Sequence, residues 1–515
     1  MTSTIRPLKQ VLKFHNNKSS YIKSFNHLGS GSNTSTLTSS PSSLCNTVFS
    51  TNNNKANGLA SISTTIYPKK RFLIGQPTHE THPHLLKENE LVKHITINEF
   101  KERRNKLLES FEIGNIVVLF TPPEPMMSYD IPWHFRQNTN FYYYSGFNEP
   151  EAVLVLEKTS NMDHVSYMFV RERNPARELW DGARCGAENV KKYFGIDYGH
   201  DIKDNNFEEL IQLLTRKCSD KIVYTHLVQW DRLLSKLHSS QFKLYNIEGF
   251  LQKPRMTKSA SEIEAMKQSG AIAGESFEET MKYIKPGMNE YEISAFFEWN
   301  VKKRGAQRMS YPPVVANGNN ANTLHYVSNN DLLVDGQLVL MDAGCEHWGY
   351  TSDITRTFPI NGRFTEAQKK IYDAVLDVNK RCIAKCVQGE SIDTIHRYSV
   401  ELINEHLKRL GILHADNPST YVNYYPHSIG HYLGMDTHDT LDFGYGVYLE
   451  PNMIITIEPG IYIPLEDVNV PQEFRGIAIR VEDDVVIAKM GDSPIVLTKN
   501  APKEIQHIES IMNNK

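Results

Sequence analysis

Acidic residues are absent from the first 79 positions of this 515-residue chain; the first is Glu80. The same stretch carries nine basic residues, from Arg6 to Arg71, and is rich in Ser, Thr and Asn. Such a composition cannot bury enough apolar surface to support a core. It does have the basic, hydroxyl-rich character of a mitochondrial transit peptide, with apolar and basic side chains at near-helical spacing over residues 5–14. Because nine positive charges lie there, the overall net charge of −4 leaves −13 for residues 80–515. A mildly acidic body argues against nucleic acid as a partner, which would call for a basic face. Long apolar runs are also missing, so no membrane span is expected, and no secretory apolar core follows the start. Cysteine is scarce: Cys45, Cys185, Cys218, Cys345, Cys382 and Cys386. Losing Cys45 with the leader would leave an odd number and no paired framework, which suits a reducing compartment. Cys382 and Cys386, one helical turn apart, read as small apolar residues on a buried helix face rather than a metal pair. No short-period repeat is present, which excludes a solenoid or propeller.

What remains is too long for one ordinary core, so two folded domains are expected. Residues 76–84 form a His- and Pro-rich surface loop. Helical periodicity follows over residues 97–111. Apolar, mostly β-branched runs at 115–120, 151–156, 165–170 and 221–224 read as strands, and 186–194 and 206–217 as helices. This alternation predicts an α/β domain. A boundary is expected near Gln252-Lys253-Pro254-Arg255, after which Ser259 and Glu262 form a capping box ahead of a new helix. Another long helix fits 365–388, and strands fit 338–341, 454–457, 477–481 and 484–487. The division is a leader at 1–75, a first domain at 76–252 and a second at 253–515.

Five residues of the second domain stand out as metal ligands: Asp342, Asp353, His431, Glu458 and Glu482. Asp342 ends an apolar strand, Ala343-Gly344 breaks it, and the chain returns through Ile354-Thr355-Arg356-Thr357. This predicts a hairpin presenting two carboxylates at one end, and two such acids repel unless a cation lies between them. Glu458 follows a short apolar strand and Glu482 ends another; acids buried at strand ends are costly unless they bind something. His427 and His431 have the spacing of a His-Glu-x-x-His zinc helix, but Ser428 replaces the Glu and Gly430 disfavours a helix, so that reading fails. Four carboxylates and one imidazole suit a pair of divalent ions such as Mn²⁺, Fe²⁺, Co²⁺ or Zn²⁺. Paired ions about 3.5–4 Å apart activate a shared water for hydrolysis.

Residues from about 76 to 510 resemble the Xaa-Pro aminopeptidases of the pita-bread metallopeptidase superfamily. The motifs that carry the likeness are Thr323-Leu324-His325-Tyr326, Met341-Asp342-Ala343-Gly344, Ser352-Asp353-Ile354-Thr355-Arg356-Thr357, the His431 segment, Ile457-Glu458-Pro459-Gly460 and Arg480-Val481-Glu482-Asp483. In the first domain they are Phe135-Arg136-Gln137-Asn138-Thr139-Asn140-Phe141 and Gly146-Phe147-Asn148-Glu149-Pro150. The 76–84 loop is similar to the start of the family's mitochondrial branch. The resemblance implies an α/β (α+β) chain, with a creatinase-like N-terminal domain followed by a pita-bread catalytic domain.

It also implies two manganese ions bridged by Asp353 and Glu482, with Asp342 on one ion and His431 and Glu458 on the other. Glu458 would shuttle the proton, and His325 and His438 would stabilise the tetrahedral intermediate. The substrate amine would sit near Asp342, with Tyr311, His427, His431, His438 and Arg480 lining its pocket. Trp180 resembles a residue that reaches a neighbouring subunit, which implies a homodimer or larger homo-oligomer. The activity implied is a mitochondrial matrix aminopeptidase acting on peptide or precursor N-termini, before proline or at a bulky residue left by presequence removal. A prolidase taking Xaa-Pro dipeptides and a non-catalytic pita-bread binding module are the alternatives.

Overall fold

The computed structural model describes residues 74–513, except 204–206, 227 and 414–417. The expected leader therefore lies, but for its last two residues, outside the described residues.

In the first half, helix α1 (Ile97–Leu108) precedes strand β1 (Ile116–Thr121), and helix α2 (Thr139–Ser145) precedes β2 (Ala152–Lys158). Strands β3 (His164–Arg171), β4 (Tyr198–Ile202), β5 (Ile222–Thr225) and β6 (Lys243–Asn246) follow. They form one mixed sheet in the order β6-β5-β1-β2-β3-β4. All six residues of β1 are buried. Val117 and Leu119 enter one core cluster, and Ile116, Val118 and Phe120 the opposite one. A strand covered on both faces needs a continuous apolar run rather than an alternating one, as its sequence has. Helix α3 (Glu248–Met256) then runs straight through the expected boundary at 252–255, with Pro254 inside it.

Two histidines of this half are buried as neutral acceptors. Phe120 N–H donates to His226 Nε2 (2.8 Å) and Arg104 Nε donates to His164 Nε2 (3.1 Å). Burial pushes His226 down to about 4. Burial and then the Arg104 charge push His164 down to about 4. The free imidazole titrates near 6.5. Their contribution to stability is therefore complete above about pH 6.5 and is lost as pH falls toward 4. Denaturant midpoints measured across this window should decline in the parent and decline less in His226→Gln and His164→Gln; parallel slopes would refute the assignment.

The second half opens with helix α4 (Ala260–Tyr283), started by the Ser259/Glu262 capping box, and α5 (Glu290–Lys303). Strand β7 (Val314–Asn317) pairs antiparallel with β8 (Leu338–Asp342). A small hairpin, β9 (Cys345–His347) and β10 (Tyr350–Thr351), separates β8 from its other partner β11 (Thr355–Pro359). Helices α6 (Glu366–Ile383) and α7 (Ile392–Arg409) come next. Strand β12 (Ile454–Ile457) and the β13 strand (Gly460–Tyr462) pair antiparallel with β15 (Asp483–Val486) and β14 (Ala478–Arg480), respectively. Cys382 is buried on α6 as expected, whereas Cys386, also buried, lies just past that helix's end. Among the described residues no helix is long and apolar enough to cross a membrane.

Candidate metal centre

The four acids sit at strand ends because the ladders place them there. Asp342 closes β8 opposite Thr355 of β11, and Asp353 lies two residues before β11. Glu458 stands between β12 and β13, and Glu482 between β14 and β15, where its N–H donates to the Thr355 carbonyl (3.0 Å). Two glycines permit this closeness. A Cβ at Gly344 would lie 1.8 Å from the Ser352 carbonyl oxygen, and one at Gly430 would lie 1.9 Å from that of Thr456. The segment around His431 is extended along β12, not helical: Thr456 N–H donates to the His431 carbonyl (2.9 Å), and His431 N–H to Thr456 Oγ1 (3.1 Å).

The side chains converge. His431 Nε2 lies 3.4 Å from Asp353 Oδ2 and 3.8 Å from Glu458 Oε1. Donor atoms of Asp353, His431 and Glu482 all lie within 4.8 Å of one another. The Tyr311 hydroxyl is 2.6 Å from Asp342 Oδ1 and 2.5 Å from Asp353 Oδ1, joining the fourth acid to the group. His431 Nδ1 faces the Tyr432 carbonyl (3.0 Å), which fixes the tautomer and leaves Nε2 free to ligate. Arg480 spans the rim: Nη2 donates to Asp342 Oδ2 (2.6 Å), Nη1 to the Tyr462 hydroxyl (3.0 Å) and Nε to Thr355 Oγ1 (2.9 Å). Thr355 in turn donates to Glu482 Oε2 (2.7 Å). His427 shares a hydrogen bond with Tyr462 (2.8 Å), and burial, then the Arg480 charge, pushes it down to about 3, so it stays neutral.

The electrostatics call for cations. Burial, then the charges of Asp353, Glu458 and Asp342, pushes Glu482 well above the usual carboxylate range. Burial lifts Glu458 to about 7 despite His431 and Arg480. Burial alone would lower His431, but Asp353 and Glu458 outweigh it and raise the imidazole to about 9. Four carboxylates, Asp353 and Glu482 buried and Asp342 and Glu458 partly so, faced by one guanidinium and one imidazole repel one another, and divalent ions relieve that repulsion. Mostly oxygen donors with one nitrogen fit such ions.

The remaining expected residues lie around this centre. The His438 ring stands 4.5 Å from that of His431. His438 is lowered by burial first, with His431 and His325 adding to it, and His325 also acts on His427, so these four imidazoles lie close enough to feel one another's charge. The His325 segment is held by buried Glu290, which accepts from Asn317 N–H (2.7 Å), Asp331 N–H (3.0 Å) and the Tyr326 hydroxyl (2.9 Å). Trp180 is 82% exposed on helix Pro175–Asp181. Tyr462, Thr355 and Glu290 are not among the residues read from the sequence. The signal for Thr355 was its place inside the Asp353 motif and that for Tyr462 its place two residues past the Glu458 motif; Glu290 carried none.

A carboxylate-walled, imidazole-bearing centre of this kind defines a metal-dependent hydrolase. Comparisons with known proteins agree. The pattern of the metallopeptidase family M24 matches residues 264–489, and that of the aminopeptidase P N-terminal domain matches residues 100–224. The chain is 59% identical over 484 residues to Xaa-Pro aminopeptidase 3 of Dictyostelium discoideum, covering 91% of this chain and 92% of that one. It is 38% identical over 446 residues to intermediate cleaving peptidase 55, mitochondrial, of Arabidopsis thaliana, covering 86% and 88%. Among solved structures, proline aminopeptidase P II from Yersinia pestis superposes with a TM-score of 0.77 at 34% identity, covering 82% of this chain and 100% of that one. The chain belongs to the Xaa-Pro aminopeptidase (aminopeptidase P) family, and it is a metalloaminopeptidase with the N-terminal and catalytic folds of that family. The non-catalytic alternative is set aside.

Proposed function

We propose that this enzyme removes a single N-terminal residue from peptides and imported precursor proteins in the mitochondrial matrix. The bond cut is either Xaa–Pro or the one following a bulky residue left by presequence removal. The observation that carries this reading is the convergence of Asp342, Asp353, His431, Glu458 and Glu482. These five would hold two divalent ions, manganese in this proposal, with Asp353 and Glu482 shared between them. When bound, such ions lower the pKa of water and polarise the scissile carbonyl.

The protein's own groups do the rest. Glu458 Oε takes the proton of the attacking water and passes it to the leaving nitrogen. His325 and His438 donate toward the oxygen on which negative charge develops. Asp342 receives the substrate's free amine, and Tyr311, His427 and Arg480 shape the pocket. Exposed Trp180, on its own short helix, reaches a second copy of the chain in a homodimer or larger assembly. Matrix location is supported by the acid-free, basic first 79 residues and by the likeness to a relative named as mitochondrial. The division into a leader at 1–75 and domains at 76–252 and 253–515 belongs to the same proposal, with helix α3 as the continuous link across the second boundary.

The test is an N-terminal peptide library with Mn²⁺ supplied, read by mass spectrometry. Loss of one residue from peptides of ten or more residues is expected, and cleavage confined to dipeptides would favour the prolidase alternative instead. Prolonged chelation should abolish turnover and Mn²⁺ should restore it; full activity after the metal has been stripped and measured as absent would sink the two-ion reading.

A further inference from the structure

One side chain of the N-terminal half, Arg136, bonds to both segments that carry the ligands. Arg136 lies between β1 and α2, beside a cavity of about 190 Å³. Its Nε donates to Glu346 Oε2 (2.6 Å). Its Nη2 donates to Asp436 Oδ1 (3.0 Å) and to the Met435 carbonyl (2.8 Å), and its Nη1 to Thr139 Oγ1 (3.2 Å). Thr139 then donates to Asp436 Oδ1 (2.6 Å).

The two acids belong to different parts of the centre. Glu346 is on β9, in the hairpin between Asp342 and Asp353. Asp436 is in the loop between His431 and His438. Neither is among the five ligands. On the inner side the same two segments meet directly, since Thr351 donates to the Gly434 carbonyl through its N–H (3.0 Å) and its hydroxyl (2.8 Å). Arg136 closes the outer side of this ring. The hairpin tip is seated on the same half of the molecule: Gly349 has φ +84°, and a Cβ there would lie 2.6 Å from the Tyr142 ring. Arg308 (3.5 Å from Glu346) and Arg255 (2.9 Å from Asp436) are further cations, but each serves only one of the two acids.

We propose that Arg136 is a positioning residue for the metal centre, a strut that fixes the aspartate hairpin against the histidine loop. The proposal rests on the metal-centre reading above. A planar guanidinium with fixed donors can hold two carboxylates in one geometry, which an ammonium cannot reproduce. Ligands must be kept to within about half an ångström of the productive arrangement, and loss of an outer partner weakens metal binding by roughly 10- to 100-fold.

The experiment uses the full chain stripped of metal. Mn²⁺ affinity is measured by titration calorimetry for the parent, Arg136→Met, Arg136→Lys and Asp436→Asn, alongside kcat, KM and melting of the metal-free protein. Tyr144→Phe, which removes a buried bond to the Leu251 carbonyl (2.8 Å), serves as a destabilised comparison. Expected for Arg136→Met are Mn²⁺ binding about ten-fold weaker and a lowered kcat with KM nearly unchanged. Asp436→Asn, which weakens the strut from its other end, should show the same loss and serves if Arg136→Met does not fold. Tyr144→Phe should melt earlier yet bind Mn²⁺ as the parent does. Arg136→Met and Asp436→Asn variants that bind Mn²⁺ like the parent would overturn the proposal. So would full restoration by Arg136→Lys, because charge alone would then suffice. A parent protein that takes up no Mn²⁺ would overturn the metal-centre reading, and the strut with it.

Discussion

Glu458→Gln should lower kcat by about two to four orders of magnitude, the usual contribution of a positioned proton carrier, while the protein stays folded. The amide keeps the shape of the side chain and one ligating oxygen but cannot accept and return a proton. Stability is not expected to suffer. In the metal-free protein Glu458 crowds three other carboxylates with few countercharges nearby, and an uncharged amide removes one source of repulsion. The diagnostic pattern is therefore a collapsed turnover number with an unchanged or higher melting temperature before metal is added. Near-parent turnover with Mn²⁺ bound would remove Glu458 from its assigned role. Loss of activity together with loss of fold would instead assign it to structure.

The second large effect is expected on stability. Arg356→Met should destabilise by about 3–5 kcal/mol, the penalty for stripping one partner from a buried ion pair. Arg356 and Asp483 are both fully buried and meet at 2.7 Å. The guanidinium spends its other donors on the carbonyls of Pro502 (3.1 Å), Thr355 (2.9 Å), Glu482 (2.5 Å) and Ala501 (3.1 Å). Burial would push the Asp483 carboxyl up, but Arg356 and Lys503 together hold it well below its ordinary range. Methionine fills the space and leaves the carboxylate and four carbonyls short of donors. Adding Asp483→Asn should recover part of the loss, because the two residues form one network and their effects do not add. Denaturant midpoints of the two single variants and the double variant decide this. Strict additivity, or a loss below about 1 kcal/mol, would show that the pair contributes little.

Much of the centre could be read before any coordinates because its chemistry is local. Asp342, Glu458 and Glu482 each stand directly after an apolar strand, and the hairpin joining Asp342 to Asp353 is short enough to see in the sequence. The capping box at Ser259 and Glu262 marked the start of α4 to the residue. What stayed hidden are pairings across long stretches of chain, such as Thr355 with Glu482 or Arg136 with Asp436, which no local pattern announces. Several helices also escaped, α5 and α7 the longest of them. On α5, exposed Tyr291 and Trp299 blur the apolar stripe. On α7 the capping box uses Thr394 where the usual signal is Glu or Gln. The boundary read at 252–255 falls inside α3. Pro254 lies in that helix's last turn, where the chain is held by Arg255 bonding Asn140 (2.6 Å) and Asp436 (2.9 Å).

The bare α-carbons at Gly344 and Gly430 bring strand backbones closer than any methyl group would allow. The gap between the ligand-bearing edges is thus set by main-chain contact rather than by side-chain packing. Selection or engineering that retunes this enzyme toward another ion would have little freedom to widen or narrow the cradle. It would have to exchange the donor atoms themselves, or the outer groups that aim them.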